Sequence, residues 1–172
     1  MSDKELGKKM AEEEALLCFL DAYKEVVEEY LSYGFARQER PDFICYRPDE
    51  TLVGVELVKI MSDPRDVQMD ADEALKMLYR MIEKKDEKRR EADWDLPDNT
   101  ILVLQFVECP ISSLYSLDDS LKGDFEAYGF DEIWIADYTG EEAYGDIELF
   151  CLYPPEWWGF CERSNPCRKP YG

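Results

Sequence analysis

Arg40-Pro41-Asp42-Phe43-Ile44-Cys45-Tyr46-Arg47-Pro48-Asp49-Glu50-Thr51-Leu52-Val53-Gly54-Val55-Glu56-Leu57-Val58-Lys59-Ile60 reads as two β-rich runs joined by a polar, proline-containing turn. With a three-residue loop centred on Asp49, the numbers of paired residues sum to 98. Asp42 then stands opposite Glu56 on one face, with Cβ atoms about 4.5–5.5 Å apart. Two carboxylates that close repel each other unless one is protonated or a cation lies between them. The pattern is that of a divalent metal site. A two-residue loop would shift the pairing by one step and turn Asp42 to the other face. An aspartate after proline also serves as a plain turn residue, and a strand glutamate often points to water. Glu56, however, sits inside an apolar run (Leu52, Val53, Val55, Leu57, Val58, Ile60), which speaks against a solvated position.

Outward from this hairpin, residues 9–33 carry Leu16, Leu20, Tyr23, Val27, Tyr30 and Leu31 at helical spacing, with a stop at Gly34. Both hairpin strands, Phe43–Arg47 and Leu52–Ile60, are apolar on both faces, which predicts a sheet covered on both sides. Met61–Asp70 is a polar connection. Residues 71–90 form a second helix with Ala74, Leu75, Leu78, Met81 and Ile82 on one stripe. A strand over Ile101–Val107 follows the turn Leu96-Pro97-Asp98-Asn99. A short helix is expected near Asp118–Tyr128, stopped by Gly129. Glu132–Tyr138 and Asp146–Tyr153 read as strands around the polar turn Thr139–Gly145. In the tail from Pro154, Trp157-Trp158 is expected to cap the core, with a binding platform as the other reading. The order gives an α/β protein with a single mixed β-sheet flanked by helices.

The chain has 172 residues, 45% of them hydrophobic and 13% aromatic, which suits one domain over 1–172 with a sizeable core. No apolar stretch is long enough to cross a membrane, and Met1-Ser2-Asp3-Lys4-Glu5 is no secretory signal, so the expectation is a cytoplasmic protein that engages no membrane. Cys18, Cys45, Cys109, Cys151, Cys161 and Cys167 have neither disulfide-framework nor zinc-site spacing, and reduced thiols are expected. There is no histidine, which excludes His-based triads, His-ligated zinc and imidazole acid–base pairs. Chemistry is left to carboxylate, lysine, tyrosine, cysteine or a hard metal.

The net charge of −20 is uneven. Residues 1–90 hold 16 basic against 22 acidic side chains, a net of −6; residues 91–172 hold 4 against 18, a net of −14. Positive charge gathers in one helix: Lys76, Arg80, Lys84, Lys85, Lys88, Arg89 and Arg90. A strongly acidic protein opposes loose binding to nucleic acid, whose affinity comes largely from phosphate neutralisation.

Helix, Pro41-Asp42-Phe43, hairpin, Gly54-Val55-Glu56, a basic helix ending near Lys84-Lys85, and the strand Ile101–Val107 together resemble the PD-(D/E)XK nuclease superfamily. The likeness covers residues 10–107 and implies a restriction-endonuclease-like core, with residues 108–172 adding acidic strands and an aromatic tail. It implies that Asp42 and Glu56 hold Mg²⁺ or Mn²⁺, an ion that prefers one or two carboxylates plus water. The family's lysine stands two positions after the acid, where this chain has Val58. Lys59 comes one position late, and strand alternation points it away from Glu56. In the superfamily this lysine can come from the following helix instead. Lys85 fits, lying about 20° from Leu78 and 40° from Met81 at 100° per residue; a lysine snorkelling at the core's edge is the structural alternative, and Lys84 is second choice. A further glutamate from the first helix often joins such sites, and Glu13, Glu25, Glu28 and Glu29 are available.

Two functions are therefore expected to compete. One is a divergent metal-dependent phosphodiesterase acting on nucleic acid through Asp42, Glu56 and Lys85, or a form of it that has lost its chemistry and keeps a binding role. The other is an acidic interaction protein, of immunity or nucleic-acid-mimic type, that binds a basic protein partner through its field. In a homodimer, two copies of the residue 76–90 helix would form one basic groove.

Overall fold

The computed structural model describes residues 2–27, 29–33, 43–60, 71–91, 99–107, 118–138 and 147–161. Helix α1 (Asp3–Val27) starts earlier than the hydrophobic spacing indicates, because Ser2 and Glu5 close a capping box. The Glu5 backbone N–H donates to Ser2 Oγ at 3.2 Å, and the Ser2 N–H donates to Glu5 Oε2 at 3.4 Å. It also ends earlier. Leu31 is buried, Tyr30 is 57% exposed, and Ser32–Tyr33 is a strand, β1, paired with Cys45 and Tyr46. The apolar period continued past the helix because the edge strand also needs inward residues.

Strands β2 (Phe43–Tyr46) and β3 (Leu52–Ile60) form the hairpin, and all four described pairs, from Phe43↔Val55 to Tyr46↔Leu52, sum to 98. The Arg47 N–H donates to the Thr51 carbonyl and the Glu50 N–H to the Arg47 carbonyl, both at 2.9 Å, closing a three-residue loop around Asp49. The Asp49 carboxylate accepts from the Thr51 N–H and hydroxyl. These bonds hold its carboxyl below the usual range. Glu50 carries the left-handed residue of this loop at φ 68°, a conformation in which glycine has no Cβ penalty. Glu50→Gly is expected to raise unfolding stability by about 0.5–1 kcal/mol. Urea unfolding reads this directly, and an unchanged or lower midpoint would show that the loop tip carries no strain.

Helix α2 (Ala71–Glu91) leads to β4 (Thr100–Phe106), and β5 (Glu132–Asp137), β6 (Glu148–Tyr153) and β7 (Gly159–Cys161) complete one seven-stranded sheet in chain order. β3, β4 and β5 run parallel, and the outer neighbours pair antiparallel. The chain is thus α/β, a single mixed sheet flanked by helices. In place of the short helix expected near Asp118–Tyr128 there is one 3-10 turn, Asp119–Leu121, followed by turns; Gly123 takes φ 98°, which a helix cannot continue.

Strand alternation divides the core. Val53, Val55, Ile101, Val103, Trp134 and Cys151 face α1, meeting Leu16, Phe19, Tyr23 and Val27. Val58, Ile60, Leu102, Leu104, Ile133 and Phe150 face α2, meeting Leu78 and Ile82. The tryptophan pair does cap the core, one on each face. Trp157 lies 6.1 Å from Trp134 on the α1 side, and Trp158 lies 5.2 Å from Phe150 and 6.1 Å from Phe125 on the α2 side.

Candidate functional site

Glu56 sits mid-strand in β3 on the face toward α2, between Gly54 and Val58, and is 4% exposed. A carboxylate placed there needs a cation or several donors. Lys85 of α2 supplies one, its Nζ donating to Glu56 Oε1 at 2.8 Å. Helical spacing accounts for this: Leu78 and Ile82 anchor the stripe on the sheet, and Lys85 follows one turn on beside them. The structure therefore brings together two of the three residues singled out in the sequence. The third, Asp42, lies outside the described residues. Lys59 and Lys84 are exposed and make no ion pair among the described residues.

The first-helix glutamates are placed elsewhere. α1 packs on the opposite face of the sheet from Glu56. Glu13 accepts from the Tyr33 hydroxyl at 3.2 Å, Glu29 accepts from Arg47 Nη1 at 2.6 Å, and Glu25 is exposed. Glu28 lies outside the described residues.

A second polar cluster, on the α1 face, was not anticipated from the sequence. Glu132, at the start of β5, is buried and accepts from the Tyr23 hydroxyl at 3.0 Å to both oxygens, from Trp134 Nε1 at 2.9 Å and from Arg47 Nη2 at 3.2 Å. Arg47 bridges it to Glu29. Burial pushes the Glu132 carboxyl up, against the pull of Trp134, Arg47 and Tyr23. Burial and the neighbouring Glu132 push the Tyr23 phenol up. With its donors converging on one carboxylate, the cluster ties α1, the hairpin and β5 together. The signal was present in Glu132-Ile133-Trp134-Ile135, an acid opening an apolar strand, where Glu56 lies inside one.

A third buried acid, Asp86 of α2, accepts from the Arg89 guanidinium, from the Gly129 N–H at 3.0 Å and pairs with Arg90 at 3.3 Å, joining the end of α2 to the loop before β5. Cys18, Cys45 and Cys151 are free thiols. Burial alone pushes Cys45 up to about 12 and is the main cause raising Cys151, so both behave as small hydrophobes rather than nucleophiles.

Known protein families, curated proteins and solved structures give no match to this chain. Among the described residues no group of three or more Asp, Glu, Cys or His could hold a metal, and no helix is long and apolar enough to cross a membrane. Glu56 is a carboxylate, the donor type that a hard divalent ion takes, with its Oε1 engaged by Lys85. The Glu56–Lys85 pair combines a buried carboxylate with a lysine reaching it from a separate helix. It is the one cluster of the three whose components the sequence had marked for chemistry.

Proposed function

We propose that this chain is a divergent relative of the PD-(D/E)XK nucleases, a metal-dependent phosphodiesterase acting on nucleic acid. The observation that carries the reading is the 2.8 Å contact between Lys85 Nζ and Glu56 Oε1, which puts a lysine at the strand acid although Val58 occupies the family's usual lysine position. The order of α1, the β2–β3 hairpin, α2 and parallel β4 supports it as well. Asp42 and Glu56 would hold Mg²⁺ or Mn²⁺. Bound there, such an ion would polarise the scissile phosphate and supply hydroxide near neutral pH. Glu56 contributes its charge, and α2 and the sheet exclude water around its stem. Lys85 offers a mobile ammonium to the phosphate oxygens or the attacking water.

Calorimetric titration of Mn²⁺ and Mg²⁺ into the protein and into Asp42→Ala/Glu56→Ala tests this, together with hydrolysis of DNA and RNA. Saturable binding that disappears in the double variant is expected, with hydrolysis reduced more than about a hundredfold, beyond the loss that outer-shell changes produce. Equal binding in both proteins would end the metal-site reading.

The net of −14 over residues 91–172 favours a second reading, an acidic protein that binds a basic partner by charge complementarity. That reading requires partner capture that weakens with salt and is unaffected by the Asp42/Glu56 double variant.

A further inference from the structure

Leu6, Met10 and Leu17 are three of the six large apolar side chains that stand exposed among the described residues, at 50%, 56% and 50%. At 100° per residue they fall within about 40° of one another on α1, and the line they form is about 16 Å long. It lies about 120° around the helix from Tyr23, which with Leu16, Phe19 and Val27 holds the inner side of α1 against the sheet. Helix α1 is thus apolar on two sides, and only one of them is covered. Its N-terminal half has little other support. The first buried side chain is Leu16, and residues 3–8 are exposed all round. Helical stretches shorter than about 12–15 residues are marginal in water without tertiary packing.

The charges beside the line select what covers it. Within about 60° of Leu17 stand Asp3, Glu13, Glu14 and Asp21 against one base, Lys24. Lys24 lies beyond the apolar stretch, its ammonium 5.3 Å from the centre of the Tyr30 ring. Lys4, Lys8 and Lys9 fall about 80–180° away, and Lys8 pairs with Glu12 at 4.0 Å. An apolar line edged by carboxylates complements an apolar line edged by ammonium or guanidinium groups. A second copy of the chain fits poorly, because it would bring acid against acid at a net charge of −20 on each chain.

We propose that the side of α1 carrying Leu6, Met10 and Leu17 docks a basic amphipathic helix of a protein partner. The apolar side chains of that helix cover the line, and its lysines or arginines meet Asp3, Glu14 and Asp21. The charge of the partner rests on the second reading, an acidic protein that binds a basic one. The docking face rests on the exposure and alignment of three side chains and is independent of the Glu56–Lys85 pair.

The probe is a labelled synthetic helix of leucine and lysine, about 18 residues or five turns long, with leucine at i, i+3, i+4 and i+7. A peptide of the same composition in permuted order, with no apolar face, is the control. Fluorescence anisotropy is expected to show tighter binding of the amphipathic peptide, weakening with salt. Met10→Gln should weaken it about tenfold, and Leu6→Gln/Met10→Gln/Leu17→Gln at least about a hundredfold, from the apolar area left uncovered. Glutamine keeps the helix propensity, and circular dichroism of each variant checks the fold. Glu14→Gln/Asp21→Asn should flatten the salt dependence, whereas Glu126→Gln/Glu156→Gln, exposed acids outside α1, should leave binding unchanged. Equal affinity for the two peptides overturns the proposal, as does unchanged affinity in the triple glutamine variant. In that last case salt-sensitive binding leaves the acidic reading standing without this face. Absence of binding by either peptide at low salt removes both. A dimer of the protein alone that the triple variant dissociates assigns the face to a second copy and overturns the proposal.

Discussion

Lys85→Met is expected to tighten Mn²⁺ binding by about ten- to a hundredfold while abolishing hydrolysis. The Lys85 ammonium occupies Glu56 Oε1 at 2.8 Å, so it competes with any divalent ion for the same buried charge. Two unit charges about 4 Å apart interact by about 4 kcal/mol at an effective dielectric near 20, and a tenfold change in affinity needs only about 1.4 kcal/mol. The same substitution takes the Lys85 charge away from the buried Glu56 carboxylate, and breaking one partner of a buried ion pair costs about 3–5 kcal/mol. The metal-free variant should therefore melt earlier than wild type and recover on adding Mn²⁺, since a ligand that binds only the folded state stabilises it. Calorimetry and thermal melts with and without EDTA measure both effects. Weaker Mn²⁺ binding in Lys85→Met would show that the lysine supports the ion and does not compete with it.

The largest expected loss of stability lies on the other face of the sheet. Glu132→Gln should lower unfolding free energy by about 3–5 kcal/mol. Whichever way the amide lies, its NH2 would take the place of one carboxylate oxygen and face Trp134 Nε1 or Arg47 Nη2, each itself a donor to this position. Among the described residues, Arg47 would keep its ion pair with Glu29. Replacing both charges, Glu132→Met with Arg47→Met, should recover part of the loss, because an apolar pair leaves no buried charge unmatched. Urea unfolding of the single and double variants gives the coupling. A loss below about 1 kcal/mol in Glu132→Gln would mean that the network does not hold α1 to the sheet.

The features legible in the sequence were local ones. The turn Arg47-Pro48-Asp49-Glu50-Thr51 sets its own loop length through the Asp49 and Arg47 bonds, and loop length dictates which residues pair across the hairpin. The period of 3.6 residues placed Lys85 beside Leu78 and hence toward the sheet, and the doubly apolar strands announced cover on both faces. The helix boundaries were less legible. The Ser2–Glu5 box extends α1 forward, and the pairing of Ser32–Tyr33 with β2 cuts it short; that pairing depends on a partner ten or more positions away.

What the tertiary structure alone decided is which acids lose contact with water and which charges meet them. Tyr23 and Glu132 are 109 positions apart, and Lys85 and Glu56 are 29 apart. Turn chemistry and periodicity act over a few residues, so the sequence by itself determined the hairpin, its register and the inward face of α2. Burial and ion pairing arise only when the sheet brings distant segments together. It is the stacking of α1 and α2 on opposite faces that separates the Glu132 network from the Glu56–Lys85 pair.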